Sequence, residues 1–414
     1  MGTQTASENY PLDSISQASE LMRLRKLSPV DLLTRCFQRI AELQPRLNAF
    51  ITVTSESALE AAKLAETEIR QGQWKGPLHG IPVGIKDFYD TAGVRTTAAF
   101  EHFRNRVPKD DAASVEKLRK AGAIVIGKTN MHTLGAGTTG LESYFGPVKN
   151  PWNSEYIPGG SSSGSAAAVA SGLCYATLDT DAIGSCRLPA ACCGVVGFKG
   201  TYGLIDLRGI LKGEQPPDEQ IVWMAHAGIT TRHAMDTAIV LDALARRDAE
   251  ASFVTALAEE RPLRIGVANN CKAATEVIDA FERAVETIRR FGYSMKAAAA
   301  PFVALSKGIG NIAADRQAIA SQSFHEIEVL LLPVTATTTL RIGDASQPSA
   351  LSAENTMFAN YYGLPAVSVP CGFDKHGLPL GLQIVAKPWD EAAVLRLAHQ
   401  FLTATGLDNA RPPV

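Results

Sequence analysis

Short apolar runs that end near glycine or proline alternate along this chain with longer segments of helical periodicity. Ser28 and Pro29 are residue types typical of a helix start, and apolar residues follow them at helical spacing. Further helices are predicted at 58–72, 113–122, 235–247 and 391–402, and another that begins at Pro189. Strands are predicted at 78–87 (ending near Lys86), 123–130, 175–181, 263–268, 328–334, 366–373 and 380–386. This alternation favours an α/β sheet that is covered by helices on both faces.

Composition and charge exclude several classes of protein. The 414 residues are 46% hydrophobic and carry a formal net charge of −2, so the chain has no basic footprint for nucleic acid. No apolar run reaches the roughly 18 residues that a membrane span needs. The first fifteen residues lack the pattern of a signal peptide, and the seven cysteines show no CxxC spacing. We therefore expect a cytoplasmic chain with buried thiols, without a metal and without a cofactor.

Three short motifs suggest chemistry, but their context argues against each of them. Residues 122–129, GAIVIGKT, match the phosphate-loop pattern, yet the apolar spacer predicts a buried strand. Residues 135–140, GAGTTG, have no clear helix after them and are predicted to be a loop. Residues 160–164, GSSSG, match a nucleophile elbow centred on Ser162. That elbow needs a strand before it, whereas the preceding NPWNSEYIP contains two prolines.

A longer series of motifs covers most of the chain. Residues 159–172 read GGSSSGSAAAVASG, and TDAIGSCRLPAACCGVVGFKGTYG follows from Thr180. GIPVGIKDFYDTAGVRTTAAF, GKTNM and YFGPVKNPWN lie upstream, and NYYGLPAVSVPCGFDKHGLPLGLQIVAKPWDE lies near the C-terminus. From about residue 12 to residue 403 the chain strongly resembles the amidase signature family.

The resemblance implies one large α/β domain over residues 1–414, with a twisted mixed β-sheet between helices. Within it we expect N-terminal helices at 12–75, a catalytic core at 76–248, a shortened variable segment at 268–328 and a C-terminal core at 329–403.

The resemblance also implies a Ser–cis-Ser–Lys triad. Ser185 would be the nucleophile, Ser161 the bridging serine with a cis peptide bond before it, and Lys86 the base. The expected oxyanion hole consists of the main-chain N–H groups of Ala182, Ile183, Gly184 and Ser185.

Supporting groups are expected around this triad. Asp181 and Arg187 flank the nucleophile and would fix its loop; one interpretation pairs them with each other, and simple surface charges are the alternative. Ser162 is expected beside the triad, and Ser162 and Ser163 are predicted to satisfy backbone groups at the start of the alanine-rich helix.

A lysine can serve as the base only if its environment removes its charge. A serine hydroxyl needs a base within hydrogen-bond reach, and free lysine has a pKa of about 10.4. Burial disfavours the ammonium form and lowers the pKa. Lys86 ends an apolar strand, where burial is expected, although most lysines lie at the surface.

Two departures from the family pattern concern the site. Ile183 replaces the first glycine before the nucleophile, and a β-branched residue would be strained there if that position needs a positive φ. Either the loop shifts or Ile183 shapes the acyl pocket. The segment 268–328 is also short for the family, which predicts a more open mouth to the active site.

The apolar residues expected near the site bear on the substrate. They are Phe88, Met131, Leu134, Gly135 and Phe145. If they line the pocket, the enzyme would favour bulky hydrophobic or aromatic substrates. These would be amides, anilides or carbamates, the last being the substrates of a urethanase, and also esters. They could equally belong to the core. We expect a monomer or homodimer without nucleic-acid or membrane partners. The alternative is a glutaminase-like component of a tRNA-dependent amidotransferase complex, whose motifs look similar.

Overall fold

A computed structural model of the chain describes residues 14–214, 218–246, 252–304 and 307–414. The prediction that the N-terminus is not a signal peptide therefore falls almost wholly outside the described residues. Within them, no helix is both long enough and apolar enough to cross a lipid bilayer.

The described helices follow the chain in this order: α1 Ile15–Arg23, α2 Pro29–Leu47, α3 Ser55–Arg70, α4 Ala113–Lys120, α5 Ser163–Ala170, α6 Arg187–Cys193, α7 Glu219–Met224, α8 Ala234–Leu244, α9 Phe253–Ala256, α10 Thr275–Arg289, α11 Ile312–Ser323, α12 Glu354–Tyr361 and α13 Glu391–Thr405. The described strands are β1 Phe50–Val53, β2 Pro82–Lys86, β3 Ile124–Thr129, β4 Ala176–Asp181, β5 Val196–Lys199, β6 His226–Thr231, β7 Arg264–Ala268, β8 Ser294–Ala298, β9 Val329–Pro333, β10 Ala366–Phe373 and β11 Pro379–Ala386.

The strands form a single mixed sheet across the described part of the chain. Its 11 strands lie in the order β1-β3-β2-β4-β6-β5-β10-β11-β9-β7-β8. Strand β2 is parallel to both of its neighbours, β3 and β4, whereas β6 is antiparallel to both of its neighbours, β4 and β5. The α/β class and the single twisted mixed sheet are confirmed.

Helices cover both faces of this sheet. On one face, Ile85 of β2 and Leu178 of β4 share a buried cluster with residues of α1, α8, α10 and α13. On the other face, α2, α3 and α5 pack at one end of the sheet, and α11 and α12 pack at the other. Strand β9 shows the division, because Leu331 belongs to the first face and Leu332 to the second. The alternation of side chains along a strand produces this arrangement.

The predicted elements lie where the sequence patterns place them, with small shifts. Ser28 accepts the N–H groups of Val30 and Asp31 and caps α2, in which Pro29 occupies the first turn. Helix α6 begins at Arg187 rather than at Pro189, so the nucleophile candidate is only two residues from its start. Strands β1, β5, β6 and β8 are not predicted. The half-exposed sequence SMKAA of β8 has no apolar periodicity.

Candidate active site

Lys86 is the last residue of β2 and is completely buried. Its Nζ lies 2.8 Å from each of three hydroxyl oxygens, those of Ser161, Ser162 and Thr180. An ammonium group can donate to all three oxygens, whereas a neutral amine donates to two of them and accepts from the third. The three hydroxyls can therefore solvate Lys86 in either protonation state.

The environment of Lys86 favours the neutral amine that a base requires. Burial lowers the pKa of Lys86 to about 8, and the carboxylates of Asp179 and Asp181 and the thiol of Cys186 partly oppose that effect. An appreciable fraction of the amine is therefore neutral near physiological pH. The alternative of a surface lysine is wrong.

The serine-rich loop before α5 brings two hydroxyls to Lys86. The peptide bond between Gly160 and Ser161 is cis, as the family resemblance implies. The carbonyl of Ser161 accepts the N–H of His132 at 3.0 Å, which ties the loop to the turn after β3.

The expected capping role of the serines is not observed. Ser162 is the N-cap residue of α5, but its side chain forms no capping hydrogen bond. Instead the Ser162 hydroxyl contacts Lys86 and donates to the carbonyl of Thr180 at 3.4 Å. The Ser163 hydroxyl is buried and has no hydrogen-bond partner within the described residues. Lys86 therefore binds the hydroxyl that local sequence would assign to the helix end.

Ser185 lies beside this group, at the end of the loop that joins β4 to α6. The side chain is nearly buried, and its carbonyl accepts the N–H of Ser162 at 3.0 Å. Ser185 is thus joined to the serine-rich loop through the main chain. The four N–H groups predicted for the oxyanion hole, those of Ala182, Ile183, Gly184 and Ser185, donate to no protein acceptor in the part of the chain that the structure describes.

Gly184 carries the unusual backbone conformation of this loop. Its φ is +137°, and a Cβ there would lie 2.3 Å from Oγ1 of Thr356. Ile183 is not among the non-glycine residues of positive φ in the described ranges, so the replacement of the usual glycine places no β-branched residue in the left-handed region. The carbonyl of Ile183 accepts the Thr356 hydroxyl at 2.5 Å. The loop therefore accommodates Ile183, whose side chain packs on the apolar cluster beneath α11 and α12.

Asp181 and Arg187 form a buried bidentate ion pair behind the loop. Arg187 Nη2 lies 2.9 Å from Asp181 Oδ1, and Arg187 Nε donates to Oδ2 at 3.0 Å. Both side chains are inaccessible to solvent, so the alternative of surface charges is wrong. Burial alone would raise the pKa of Asp181, but the guanidinium of Arg187 holds it well below its usual range. Asn360 completes the group, with its amide donating to Asp181 and its oxygen accepting from Arg187.

Several residues of this site carry no recognisable signal in the sequence. Thr180 and Asp179 lie in the predicted strand 175–181, and Asn360 begins the NYYGLP motif, but no local pattern predicts a role for them. Thr356 lies in α12, outside every motif described above. Each acts through a contact across the fold, which only the folded chain brings about.

Of the apolar residues predicted near the site, Phe88, Gly135 and the adjoining Leu134 lie close to Lys86 or Ser161, whereas Met131 and Phe145 pack elsewhere. The ring centroid of Phe88 lies 5.4 Å from Lys86 Nζ, and a Cβ on Gly135 would lie 2.7 Å from that ring and 3.6 Å from Ser161 Oγ. Leu134, next in the chain, is 41% exposed. Met131 is fully buried, and Phe145 packs against Tyr144 and Arg95.

The competing motifs form no site of their own among the described residues. GAIVIGKT contains β3, in which Lys128 is buried and bonded to Thr96 and to the carbonyl of Tyr89. No strand precedes GSSSG, so the nucleophile elbow lacks its required context. The seven cysteines are free thiols, and six of them are buried.

A sequence profile described as Amidase matches residues 31–314 and 304–395. The chain belongs to the amidase signature family. Enzymes of this family act on carbon–nitrogen bonds, and this chain is an enzyme of that reaction class.

Relatives and solved structures of this amidase family extend the comparison. A subunit of the Glutamyl-tRNA(Gln) amidotransferase of Geobacter metallireducens is 32% identical, over 95% of this chain and 97% of the relative. A crystal structure of an amidase superposes with a TM-score of 0.80 at 28% identity, over 94% of this chain and 99% of that one. The peptide amidase of Stenotrophomonas maltophilia gives a TM-score of 0.82 at 26% identity, over 98% and 99%.

The lengths of these amidase-family relatives differ from that of this chain. The alignment with the Geobacter protein extends over 478 positions, whereas this chain has 414 residues. The relative therefore carries segments that this chain lacks.

Proposed function

We propose that this protein hydrolyses carbon–nitrogen acyl bonds through a covalent acyl-enzyme on Ser185, with Ser161 and Lys86 as a proton relay. The observation that carries the proposal is the placement of Lys86 Nζ, buried and 2.8 Å from Ser161 Oγ, beside the loop that ends in Ser185. A buried amine with a lowered pKa can act as a general base near neutral pH.

The proton relay balances in both half-reactions. Neutral Lys86 accepts the proton of Ser161, and Ser161 accepts that of Ser185, while Ser185 Oγ bonds to the carbonyl carbon. The proton then returns through Ser161 to the leaving nitrogen as the C–N bond breaks. In the second half-reaction, water adds to the acyl-enzyme, its proton follows the same path, and Ser185 is released as the hydroxyl.

The loop before Ser185 is suited to stabilise the negative oxygen of this intermediate. The main-chain N–H groups of Ala182, Ile183, Gly184 and Ser185 are free of protein acceptors among the described residues. Donors that are already oriented stabilise a developing oxyanion without reorganisation. The Asp181–Arg187 pair and the Thr356 hydroxyl hold this loop from behind.

The walls of the site favour a hydrophobic acyl or aryl group. Phe88 lies over Lys86, Leu134 is exposed next to Gly135, and Ile183 borders the apolar cluster on the other side. Apolar walls select ligands by burying their carbon surface. We therefore favour anilides, aryl esters and carbamates of aromatic amines over small polar amides, for an enzyme that acts alone as a monomer or homodimer in the reducing cytoplasm.

A second function is favoured by the relatives. Several that match nearly the whole chain are subunits of a Glutamyl-tRNA(Gln) amidotransferase, at 29–32% identity. In that role the site would release ammonia from an amide only within a multi-subunit complex. The longer alignment argues for the first proposal, because this chain lacks segments that the Geobacter protein has.

One experiment tests both candidates. The purified chain is assayed alone for hydrolysis of a chromogenic aromatic anilide and for release of ammonia from glutamine, with the Ser185→Ala variant as control. Turnover of the anilide that depends on Ser185 supports the stand-alone hydrolase. Inactivity towards both compounds, with glutaminase activity appearing only after partner proteins of the amidotransferase are added, would replace it with the second function.

A further inference from the structure

A second buried charge lies next to Lys86 in the sheet. Strands β2 and β4 are parallel neighbours with Ile85 opposite Leu178, so the next residues along the two strands are Lys86 and Asp179. Ile85 and Leu178 both point into the apolar cluster of one face. Because side chains alternate along a strand, Lys86 and Asp179 both leave the sheet on the opposite face, beneath α5.

The carboxylate of Asp179 is only partly satisfied by hydrogen bonds. Oδ2 accepts the hydroxyls of Thr177 and Thr230, each at 2.7 Å. Oδ1 is buried and has no hydrogen-bond partner within the described ranges of the chain. An ionised carboxylate in such a place requires a nearby positive charge. Burial raises the pKa of Asp179, and the attraction of Lys86 is the strongest of the influences that oppose this rise, ahead of the hydroxyl of Ser165. Lys86 is therefore the positive charge that acts on this carboxylate, although the two side chains form no direct ion pair within the described residues.

We propose that Asp179 is a positioning residue for Lys86. The carboxylate of Asp179 stabilises the ammonium that forms when Lys86 accepts the serine proton. The inference rests on the proposed function. Asp179 takes up no proton in this step; the proton moves from Ser185 through Ser161 to Lys86, and the positive charge appears beside a negative charge already in place. The proton relay still consists of Ser185, Ser161 and Lys86, and Asp179 supports it through its charge.

Other titratable groups also face the pair. Cys186 and Asp181 act on Lys86 from the nucleophile loop, and His132 lies on the side of the turn after β3. Cys174 and Tyr89 face Asp179, and the Tyr89 hydroxyl donates to the main-chain carbonyl of Asp179 at 2.7 Å. Asp181 is already neutralised by Arg187. Among the described groups around the site, Asp179 is therefore the carboxylate whose cationic neighbour is Lys86 alone.

The sign of the effect follows from the charges. Removing the negative charge of Asp179 destabilises the ammonium form of Lys86, so the pKa of Lys86 falls further. The neutral base then persists to lower pH, but it is a weaker base, and its protonated form in the transition state is less stabilised. The activity profile should move towards acid pH while its plateau becomes lower.

The test is the pH dependence of the Asp179→Asn variant, which keeps the size of the side chain and can still bond the two threonines. The rate of covalent labelling of Ser185 by a fluorophosphonate and kcat/KM for an anilide are measured from about pH 5 to about pH 10, a range that brackets the titration of a buried lysine. We expect the midpoint of both profiles to fall by about one pH unit or more. We also expect the plateau to drop by about tenfold.

A matched control separates this effect from a general loss of a buried carboxylate. Asp236 is also buried, and it accepts the N–H groups of Ile15 and Ser16 at the start of α1, on the other face of the sheet. Asp236→Asn should lower thermal stability without moving either pH profile.

The outcomes distinguish the two proposals. If Lys86→Ala keeps the wild-type rate and profile, the proposed function fails. If Lys86→Ala is inactive but Asp179→Asn titrates like wild type, only this inference fails. Should Asp179→Asn not fold, Asp179→Ser also removes the negative charge and should shift the midpoint in the same direction; an unchanged profile there would also overturn the inference.

Discussion

The Ser162 hydroxyl lies as close to Lys86 Nζ as the Ser161 hydroxyl does, 2.8 Å in both cases. The two serines are nevertheless held differently. Ser162 heads α5, and its hydroxyl donates back to the carbonyl of Thr180, whereas the Ser161 hydroxyl makes its hydrogen bond to Lys86 from the loop before that helix. We assign the bridging role to Ser161 and a supporting role to Ser162, and this assignment can be tested.

Replacing the two serines separately should give unequal losses. Ser161→Ala removes a member of the relay and should lower kcat by about three orders of magnitude or more, because a relay fails as a unit. Ser162→Ala leaves the relay intact and removes one of three hydroxyl partners of Lys86, so a loss of about tenfold to a hundredfold is expected. Single-turnover acylation rates of the two variants decide the assignment, and a reversed order of the losses would exchange the two roles.

Ser185→Ala should abolish both turnover and labelling by a fluorophosphonate. Ser185 is the residue at the end of the loop whose N–H groups are available for an oxyanion. Mass spectrometry of the labelled wild-type protein should place the adduct on the peptide that contains Ser185. Labelling at Ser162 in the Ser185→Ala variant would revive the nucleophile elbow.

The activity should rise from acid to alkaline pH with a midpoint near the pKa of Lys86, which burial lowers to about 8. Lys86 is active when neutral, so the rate is lost as pH falls through that pKa. Lys86→Ala should reduce kcat/KM by several orders of magnitude. A flat wild-type profile, together with indifference to this substitution, would remove Lys86 from the mechanism.

Gly184→Ala should damage the oxyanion loop more than the fold. The residue has φ +137°, and a Cβ there meets Thr356 Oγ1 at 2.3 Å. We expect kcat to fall by about a hundredfold or more, as for loss of an oxyanion donor. Adding Thr356→Ala relieves the contact but not the backbone strain, so the double variant should recover only part of the rate. Full recovery would show that the steric contact alone was responsible.

Breaking the buried pair should cost stability. Arg187→Met leaves Asp181 charged and buried without its guanidinium, and such a change typically costs about 3–5 kcal/mol in the free energy of unfolding. Chemical denaturation of the variant measures this loss. The solvent-exposed pair of Lys120 and Glu116 offers a control, for which Lys120→Met should change stability little.

Substrate preference tests the apolar walls of the site. The ratio of kcat/KM for an aromatic anilide or carbamate to that for glutamine should exceed unity, and Phe88→Ala should reduce it by lowering the value for the aromatic compound. Val107→Ala, at an exposed apolar residue, serves as the control. A preference of the wild type for glutamine or small charged amides would contradict the proposed substrate class.

Local sequence patterns determined a large part of this protein. The apolar run that ends at Lys86, the capped helix that begins at Pro29 and the order of strands and helices all follow from side-chain periodicity and cap chemistry, which act within a few residues. The ordered motifs from the lysine strand to the C-terminal strands determined the family. These features need no knowledge of distant contacts.

The tertiary structure alone decided how these pieces interact. Local sequence predicts that Ser162 caps α5, but its hydroxyl goes to Lys86, 76 positions away in the chain, because a buried amine offers a stronger partner than a helix end. Ile183 is unstrained because Gly184 takes the positive φ and Thr356, 173 positions away, holds the Ile183 carbonyl. Asp179 lies beside Lys86 only because the register of β2 and β4 places the two residues at neighbouring positions. Electrostatic and steric effects of this kind depend on distances between strands that no local pattern encodes, whereas secondary structure depends on residues that are neighbours along the chain.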